Sequence, residues 1–158
     1  MTIPSATNAH AAGHAGAAVR AADAATRVDH ALAIAPSDHG DPNGLTLLPA
    51  AAVERLLDNG RRIARTGDDD LEPAVKLFTP DANCTWLLVS IDPDAPDVAY
   101  GLCDLGLGCP EVGSVSIAEL RTVRGAVGLP VERDVHFVPE GTLGFYAEKA
   151  RRFGTIHA

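Results

Sequence analysis

The sequence predicts an α+β fold: an antiparallel β meander with an N-terminal helix, a short inserted helix and a C-terminal helix. Short β-rich runs follow one another through brief turns in the middle of the chain, as antiparallel neighbours do. Helical patterns stand at both ends of this stretch and once within it. Strands and helices therefore do not alternate as they would in a doubly wound parallel sheet. A length of 158 residues suits one domain.

The first helix is expected to begin at Pro49, because proline suits the first turn of a helix. Apolar residues then recur three and four positions apart between residues 52 and 57, which is the helical spacing. Asn59-Gly60 is predicted either to end this helix or to bend it. Thr66-Gly67 is predicted to close the segment, since glycine is common just past a helix end.

The next part of the chain predicts four strands. Each run is rich in β-branched or aromatic residues and is bounded by residues typical of turns. The predicted strands are residues 75–78, 84–91, 98–105 and 111–115. Residues 79–83 and 92–97 are the predicted turns between the first three.

The remaining elements are a short helix, a strand and a final helix. Ser116 is predicted to cap a helix over 117–123, with Glu119 three residues later as in a capping box. Residues 131–138 alternate apolar and polar side chains and predict a strand. Residues 141–153 predict the C-terminal helix.

Composition divides the chain near residue 43. Residues 1–42 contain fourteen alanines, four histidines and no aromatic residue, so they are predicted to form a largely disordered, Ala-rich tail. Residues 43–158 are predicted to form the single α+β domain. His10 and His14 would share a helical face, but two histidines without a third ligand bind metals weakly.

Charge and targeting signals restrict the function classes. Thirteen basic against 21 acidic residues leave a net charge of -8, which disfavours unaided binding to nucleic acid. No apolar stretch is long enough to cross a membrane, and no secretory or lipidation signal is present. Three cysteines do not make a disulfide scaffold. We therefore expect a cytoplasmic protein with no membrane contact.

Patterns for metals and catalysis are weak. The acidic turn 92–97 lacks the mid-loop glycine and the final glutamate of a calcium loop. Cys103 and Cys109 have no further ligands at zinc spacing. A catalytic pair of Cys84 or Cys103 with His136 is conceivable, but coincidence of the fold is the favoured interpretation. We expect no cofactor, no metal and no catalytic residue.

One segment resembles a known family. VKLFTPDANCTWLLVSIDP (75–93), AYGLCDLGLG (99–108) and above all VRGAVGLPVERDVHF (123–137) resemble the family labelled domain of unknown function 2958. The family string is close to VRGPLGLPIERDLYF, from which this chain departs at Ala126 and His136. The resemblance covers about residues 45–140.

The resemblance implies a genetic setting for the protein and no chemical activity. Such proteins are small, bacterial and common on plasmids and integrative elements, with genes often near anti-restriction and DNA-transfer genes. No activity or catalytic residue is implied.

The residues around this segment form the candidate binding or structural cluster. Arg124 and Arg133 could bind a carboxylate or phosphate as planar donors. Alternatively they pair with nearby carboxylates and fix the loop that joins them, which is the interpretation we favour. The cluster comprises Trp86, Glu119, Arg121, Arg124, Gly125, Gly128, Glu132, Arg133 and Asp134.

Two further features of the cluster have alternative interpretations. Gly125-Ala126-Val127-Gly128 is similar to glycine loops that approach nucleic-acid backbones, but a turn that requires positive φ is favoured. Trp86 is expected to anchor the core rather than to stack on a ligand.

These observations favour an uncharacterised, non-enzymatic accessory or interaction protein of a mobile genetic element. One version is an acidic decoy that engages a DNA-binding host protein by electrostatic complementarity. The alternative is a nucleic-acid-binding accessory module that uses Arg121, Arg124 and Arg133. A small enzyme is a third possibility, which a deep pocket gathering Arg124, Arg133, Asp134 and Trp86 would favour. The expected partner is another protein, and the oligomeric state stays open.

Overall fold

The computed structural model describes residues 47–158. The predicted tail, its boundary with the domain, and His10 and His14 lie outside the described residues. The described chain has the predicted α+β fold, with a five-stranded antiparallel sheet and three helices. The elements in chain order are α1 (Ala50–Thr66), β1 (Val75–Phe78), β2 (Thr85–Asp92), β3 (Ala95–Asp104), β4 (Glu111–Ser116), α2 (Ile117–Thr122), β5 (Glu132–Arg133) and α3 (Leu143–Phe153).

Helix α1 continues through Asn59 and Gly60, where an end was one of the two expectations. Asn59 donates its side-chain amide to the Val89 carbonyl at 2.8 Å. A Cβ at Gly60 would collide with the Ile91 carbonyl, so glycine lets the helix lie directly against β2. Pro49 occupies the N-cap position, just before the first helical residue, and not the first turn as expected. Gly67 ends the helix with a φ of 71°.

The sheet has the order β4-β3-β2-β1-β5, with every pairing antiparallel. The predicted meander of the first four strands is therefore confirmed. The second predicted turn is shorter than expected, because β3 already begins at Ala95 and leaves only Pro93 and Asp94 as the turn.

Each face of the sheet has its own buried apolar cluster. Helices α1 and α2 supply Leu56 and Leu120 to one face, where they pack with Trp86. Helix α3 supplies Tyr146 to the other face, where it packs with Leu87. Neighbouring residues of a strand point to opposite faces, so β2 contributes to both clusters. Burial on both sides explains why the sequence of β2 is an almost uninterrupted apolar run.

The expected strand over 131–138 is wrong for most of its length. Only Glu132 and Arg133 pair with β1. The Asp134 side chain then accepts the His136 backbone N–H at 3.0 Å, which is the bond of an Asx turn and directs the chain away from the sheet. Val135, which lies within the expected strand, is 58% exposed as a result.

The two remaining helices carry the predicted caps. The Ser116 hydroxyl accepts the Glu119 backbone N–H at 3.1 Å, and Asp97 adds a second cap by accepting the Ala118 N–H at 2.7 Å. Helix α3 begins two residues later than predicted, after Thr142, and Gly154 ends it. Within residues 47–158, no helix combines the length and the hydrophobicity that crossing a bilayer requires.

Candidate functional site

A cleft of about 930 Å³ opens at the end of the sheet where strand β1 ends and strand β2 begins. Its walls are the β1–β2 turn, the β3–β4 loop, the segment after β5 and the residues that follow α3. Its polar lining includes Lys76, Thr79, Asn83, Arg133, Asp134 and His136. The cleft lining therefore combines an arginine, a lysine, a histidine and several neutral polar groups with the carboxylate of Asp134.

Arg133 lies on β5 opposite Leu77 of β1. Its Nε atom is buried and has no hydrogen-bond partner among residues 47–158. Within the same range no carboxylate lies close enough to form an ion pair with it. A buried charged donor without an acceptor is destabilising, so such donors normally meet a partner. Arg133 is thus a cation without an ion-pair partner, within residues 47–158, among the residues that line the cleft.

Lys76 is the second cation of the cleft and is partly engaged. Its Nζ atom donates to the Ala158 carbonyl at 2.6 Å and to the Asp134 carboxylate at 3.2 Å. An ammonium group has three N–H donors, so one remains available. Burial raises the pKa of Asp134, but the His136 backbone N–H and the Lys76 ammonium outweigh that effect and lower it below its ordinary value.

Asp104 ties two walls of the cleft together. Its fully buried carboxylate accepts the Gly106 backbone N–H at 2.8 Å in the β3–β4 loop. The same carboxylate accepts the Thr155 hydroxyl at 2.8 Å and the Ile156 N–H at 3.1 Å. Asp104 was not predicted as a site residue. An aspartate two residues before a glycine indicates a turn, but nothing local indicates the contact with Thr155, 51 residues away.

The glycine loop, residues 124–130, is held by its own chain and by Asp81. The Val127 N–H donates to Asp81 Oδ2 at 2.6 Å, and the Leu129 N–H donates to the same oxygen at 3.4 Å. Gly128 has a φ of 90°, which is the geometry that the turn interpretation requires. Gly125 has a different reason to be glycine, because a Cβ there would collide with the Asp81 carboxylate.

The predicted arginines are divided between two places. Arg124 donates Nη1 to the carbonyls of Arg121 and Val123, at 2.9 and 2.7 Å. The carboxylate of Asp134, one of the partners considered for Arg124 and Arg133, pairs with Lys76 instead. Of the three arginines predicted to act together, only Arg133 lines the cleft.

The other predicted residues serve the fold. Trp86 is 3% exposed and packs in the core, opposite Leu77 of β1. Glu119 is exposed on α2, where its backbone N–H completes the Ser116 cap. Glu132 lies on β5 opposite Phe78. The cleft therefore brings together Arg133 and Asp134 from the predicted cluster, and adds Lys76.

The thiols differ in exposure. Cys84 lines the cleft, whereas Cys109 is exposed. Burial raises the pKa of the Cys103 thiol to about 11, which makes it a poor nucleophile. Among residues 47–158, no three His, Cys, Asp or Glu side chains are grouped so that they could hold a metal ion.

A comparison with protein families shows to which family this chain belongs. The family model described as "Protein of unknown function (DUF2958)" matches residues 47–157, which is well over half of the chain. The chain belongs to the DUF2958 family. The resemblance seen over residues 45–140 is thereby confirmed, and the DUF2958 match extends it through α3. No curated protein and no solved structure matches the chain. Both the glycine loop and every wall of the cleft lie within the DUF2958 match.

Proposed function

We propose that this DUF2958 protein is a binding protein whose cleft receives an anionic group of its partner. The proposal depends on Arg133, which lines the open cleft and forms no ion pair among residues 47–158. Guanidinium is a planar donor that matches carboxylate and phosphate oxygens. Lys76 adds a second positive charge with one free donor.

The net negative charge of the domain limits the kind of anion that the cleft can bind. Residues 43–158 contain 17 acidic and 11 basic residues, so a long polyanion is repelled by most of the surface. One carboxylate or phosphate group avoids that repulsion because it meets only the cations of the cleft. Arg121 and Arg124 do not line the cleft. A nucleic-acid module that uses all three arginines therefore receives less support than recognition of a single anionic group.

Titration with inorganic phosphate, followed by NMR, tests the proposal on the full chain. We expect saturable shifts of the Arg133 Nε–H signal and of the backbone signals around the cleft. Arg133→Gln should abolish them. Arg133→Lys should weaken binding by about tenfold, because lysine keeps the charge but loses the planar pair of donors.

Arg124→Gln is the matched control, because Arg124 is an exposed arginine of the same segment that bonds only backbone carbonyls. It should leave the phosphate titration unchanged. Unaltered binding in a folded Arg133→Gln variant would refute the proposal, as would shifts confined to residues outside the cleft.

The acidic decoy of a mobile element is a second candidate, favoured by the opposite end of the sheet. Asp92 and Asp69 line a smaller cleft of about 310 Å³ there, and Asp94 lies in the adjoining turn. Such a surface would attract a basic DNA-binding protein. In a low-salt binding assay with a purified basic DNA-binding domain, the double variant Asp92→Asn, Asp94→Asn should then lose binding. Loss in Arg133→Gln alone would contradict the decoy.

A further inference from the structure

The smaller cleft, of about 310 Å³, lies at the end of the sheet where strand β2 ends and strand β3 begins. The carboxylates of Asp69 and Asp92 line it, and none of its lining residues within 47–158 is basic. Neither carboxylate forms an ion pair in this part of the chain. The cleft therefore combines unneutralised negative charge with hydrocarbon surface. The apolar part of its lining consists of Ile63, Ala64, Ile91, Pro93 and Val98.

A β-bulge in strand β2 turns Ser90 toward this cleft. The register with β3 shifts between Leu88 and Ser90, so that Val89 is the extra residue and Ser90 lies opposite Tyr100. Without the bulge, Ser90 would point to the other face of the sheet, because neighbouring strand residues alternate. The Val89 carbonyl accepts the Asn59 side-chain amide at 2.8 Å, which holds the bulge in place.

The Ser90 side chain is 4% exposed and lines the smaller cleft. Its hydroxyl forms no hydrogen bond within residues 47–158, yet it is not one of the fully enclosed atoms without a partner, which are Asp81 Oδ1 and Arg133 Nε. The accessible part of Ser90 therefore includes the hydroxyl, which opens onto the cleft. A hydroxyl in so buried a residue normally meets a partner, and here the cleft is the place for one.

Tyr100 holds the carboxylate of Asp69 at the cleft. The Tyr100 hydroxyl donates to Asp69 Oδ2 at 2.6 Å. This hydrogen bond, together with burial and the negative charge of Asp69, raises the pKa of Tyr100 to about 12, so the hydroxyl remains a donor at neutral pH. On β4, Ser114 lies opposite Tyr100, so Ser90, Tyr100 and Ser114 form a row of side chains on one face of three strands.

We propose that the smaller cleft binds an aliphatic ammonium ion, with its charged head beside Asp69 and its alkyl stem on the apolar lining. An ammonium group has only donors, and the Asp69 carboxylate and the Ser90 hydroxyl are both acceptors. A bare divalent metal ion fits less well, because it needs about six oxygen ligands and the apolar residues offer none. The inference does not depend on the anion site of the larger cleft.

Titration of the full chain with n-butylammonium chloride, followed by NMR, tests the inference. We expect saturable shifts of the backbone signals of Ser90, Tyr100 and Ser114. Ammonium chloride lacks the alkyl stem and n-butanol lacks the charge, so each should bind at least about tenfold more weakly at equal ionic strength. Equal binding of ammonium chloride, or shifts confined to residues outside the smaller cleft, would overturn the inference.

Protein variants locate the charged contact. Asp69→Asn keeps an acceptor for the Tyr100 hydroxyl but loses the charge, so it should weaken n-butylammonium binding about tenfold. Asp68→Asn is the matched control, because it removes the same charge from the same loop at a residue that does not line the smaller cleft. Ser90→Ala, which adds no volume, should weaken binding about threefold. Unchanged affinity in both Asp69→Asn and Ser90→Ala would overturn the inference and leave the anion site untouched.

Two further ligands identify the source of the ammonium group. Putrescine represents a free amine, and acetyl-lysine N-methylamide represents a lysine side chain of a partner protein. Binding of the lysine derivative as tight as that of n-butylammonium would support the inference with a protein partner. Binding of putrescine without binding of the lysine derivative would support it with a free amine. Failure of n-butylammonium and of both these ligands would overturn it.

Discussion

The glycine loop precedes the short strand β5, and the cleft includes Arg133 of that strand, yet the polar groups of the two regions are used differently. In the loop, Arg124 and the backbone N–H groups of Val127 and Leu129 all meet acceptors of the chain itself. After the loop, Arg133 keeps a buried donor without a partner among residues 47–158. Asp81 Oδ1, beside the loop, is likewise buried without a partner among residues 47–158, so the difference between the two regions lies in the open cleft that Arg133 lines. Under the proposed function, the loop residues shape the backbone and the cleft residues face a partner.

Different carboxylates hold the glycine loop and the walls of the cleft in place. Asp81 holds the glycine loop from the β1–β2 turn, and Asp104 holds the β3–β4 loop to the segment after α3. Removing Asp104 loosens two walls of the cleft, whereas removing Asp81 frees the glycine loop from a turn that is itself a wall of the cleft. If the regions are independent, ligand binding should depend on one of these anchors only.

The largest effect is expected for Asp104→Ala. This change leaves the partly buried N–H groups of Gly106 and Ile156 and the Thr155 hydroxyl without their acceptor. Hydrogen bonds to a charged group contribute about 1.5–3 kcal/mol each, so we expect unfolding in urea to be easier by at least roughly 3 kcal/mol. Phosphate binding should weaken as well, because two walls of the cleft separate. Asp104→Asn keeps one oxygen and should lose less, and a loss below about 0.5 kcal/mol in Asp104→Ala would contradict this role.

A smaller effect is expected for Asp81→Ala, which releases the glycine loop. The Val127 and Leu129 N–H groups are exposed once freed and can bond to water, so the loss should be about 1–2 kcal/mol in urea unfolding. Phosphate titration of the cleft should be unchanged. If Asp81→Ala abolished phosphate binding, the two regions would form one coupled site and the comparison above would fail.

The sequence predicted those parts of the fold that depend on local chemistry. The Ser116 and Thr66-Gly67 signals mark true helix ends, and strands β1 to β4 lie where their apolar runs are. The strand predicted over 131–138 failed because alternation alone does not reveal that Asp134 turns the chain. A two-residue edge strand depends on its neighbour β1, which a local pattern cannot indicate.

The candidate site was predicted only in part, and for a physical reason. Arg133 and Asp134 stood out as charges within a distinctive segment, but their companions come from far along the chain. Lys76 meets Ala158, 82 residues away, and Asp104 meets Thr155 across 51. The proximity in sequence of Arg121, Arg124 and Arg133 suggested one surface, whereas β5 separates their environments. The pairing of β5 with β1 places Arg133 opposite Leu77 and brings Asp134 to Lys76, which a local pattern cannot indicate.

The smallest expected effect concerns the pH dependence of stability, and it tests the part of the comparison that concerns the cleft. The pKa of Asp134 in the folded protein lies below its ordinary value, despite burial, because the His136 N–H and Lys76 favour the carboxylate. A lowered folded pKa adds stability above the unfolded pKa of about 3.9, and this stability is lost as the pH falls through the folded value. The amount should stay below about 1 kcal/mol, because the pair is partly exposed to solvent.

Asp134→Asn isolates this contribution. Measured by urea unfolding, the variant should be slightly less stable than the parent near neutral pH, and the difference should shrink below about pH 4. The same variant should bind phosphate more tightly, because Lys76 loses its competing carboxylate and the cleft loses a negative charge. Asp58→Asn, at an exposed pair with Arg61, removes a carboxylate away from the cleft and should leave phosphate binding unchanged. Equal phosphate affinity in Asp134→Asn and the parent would show that Lys76 does not contribute to the anion site, and that Arg133 alone distinguishes the cleft from the glycine loop.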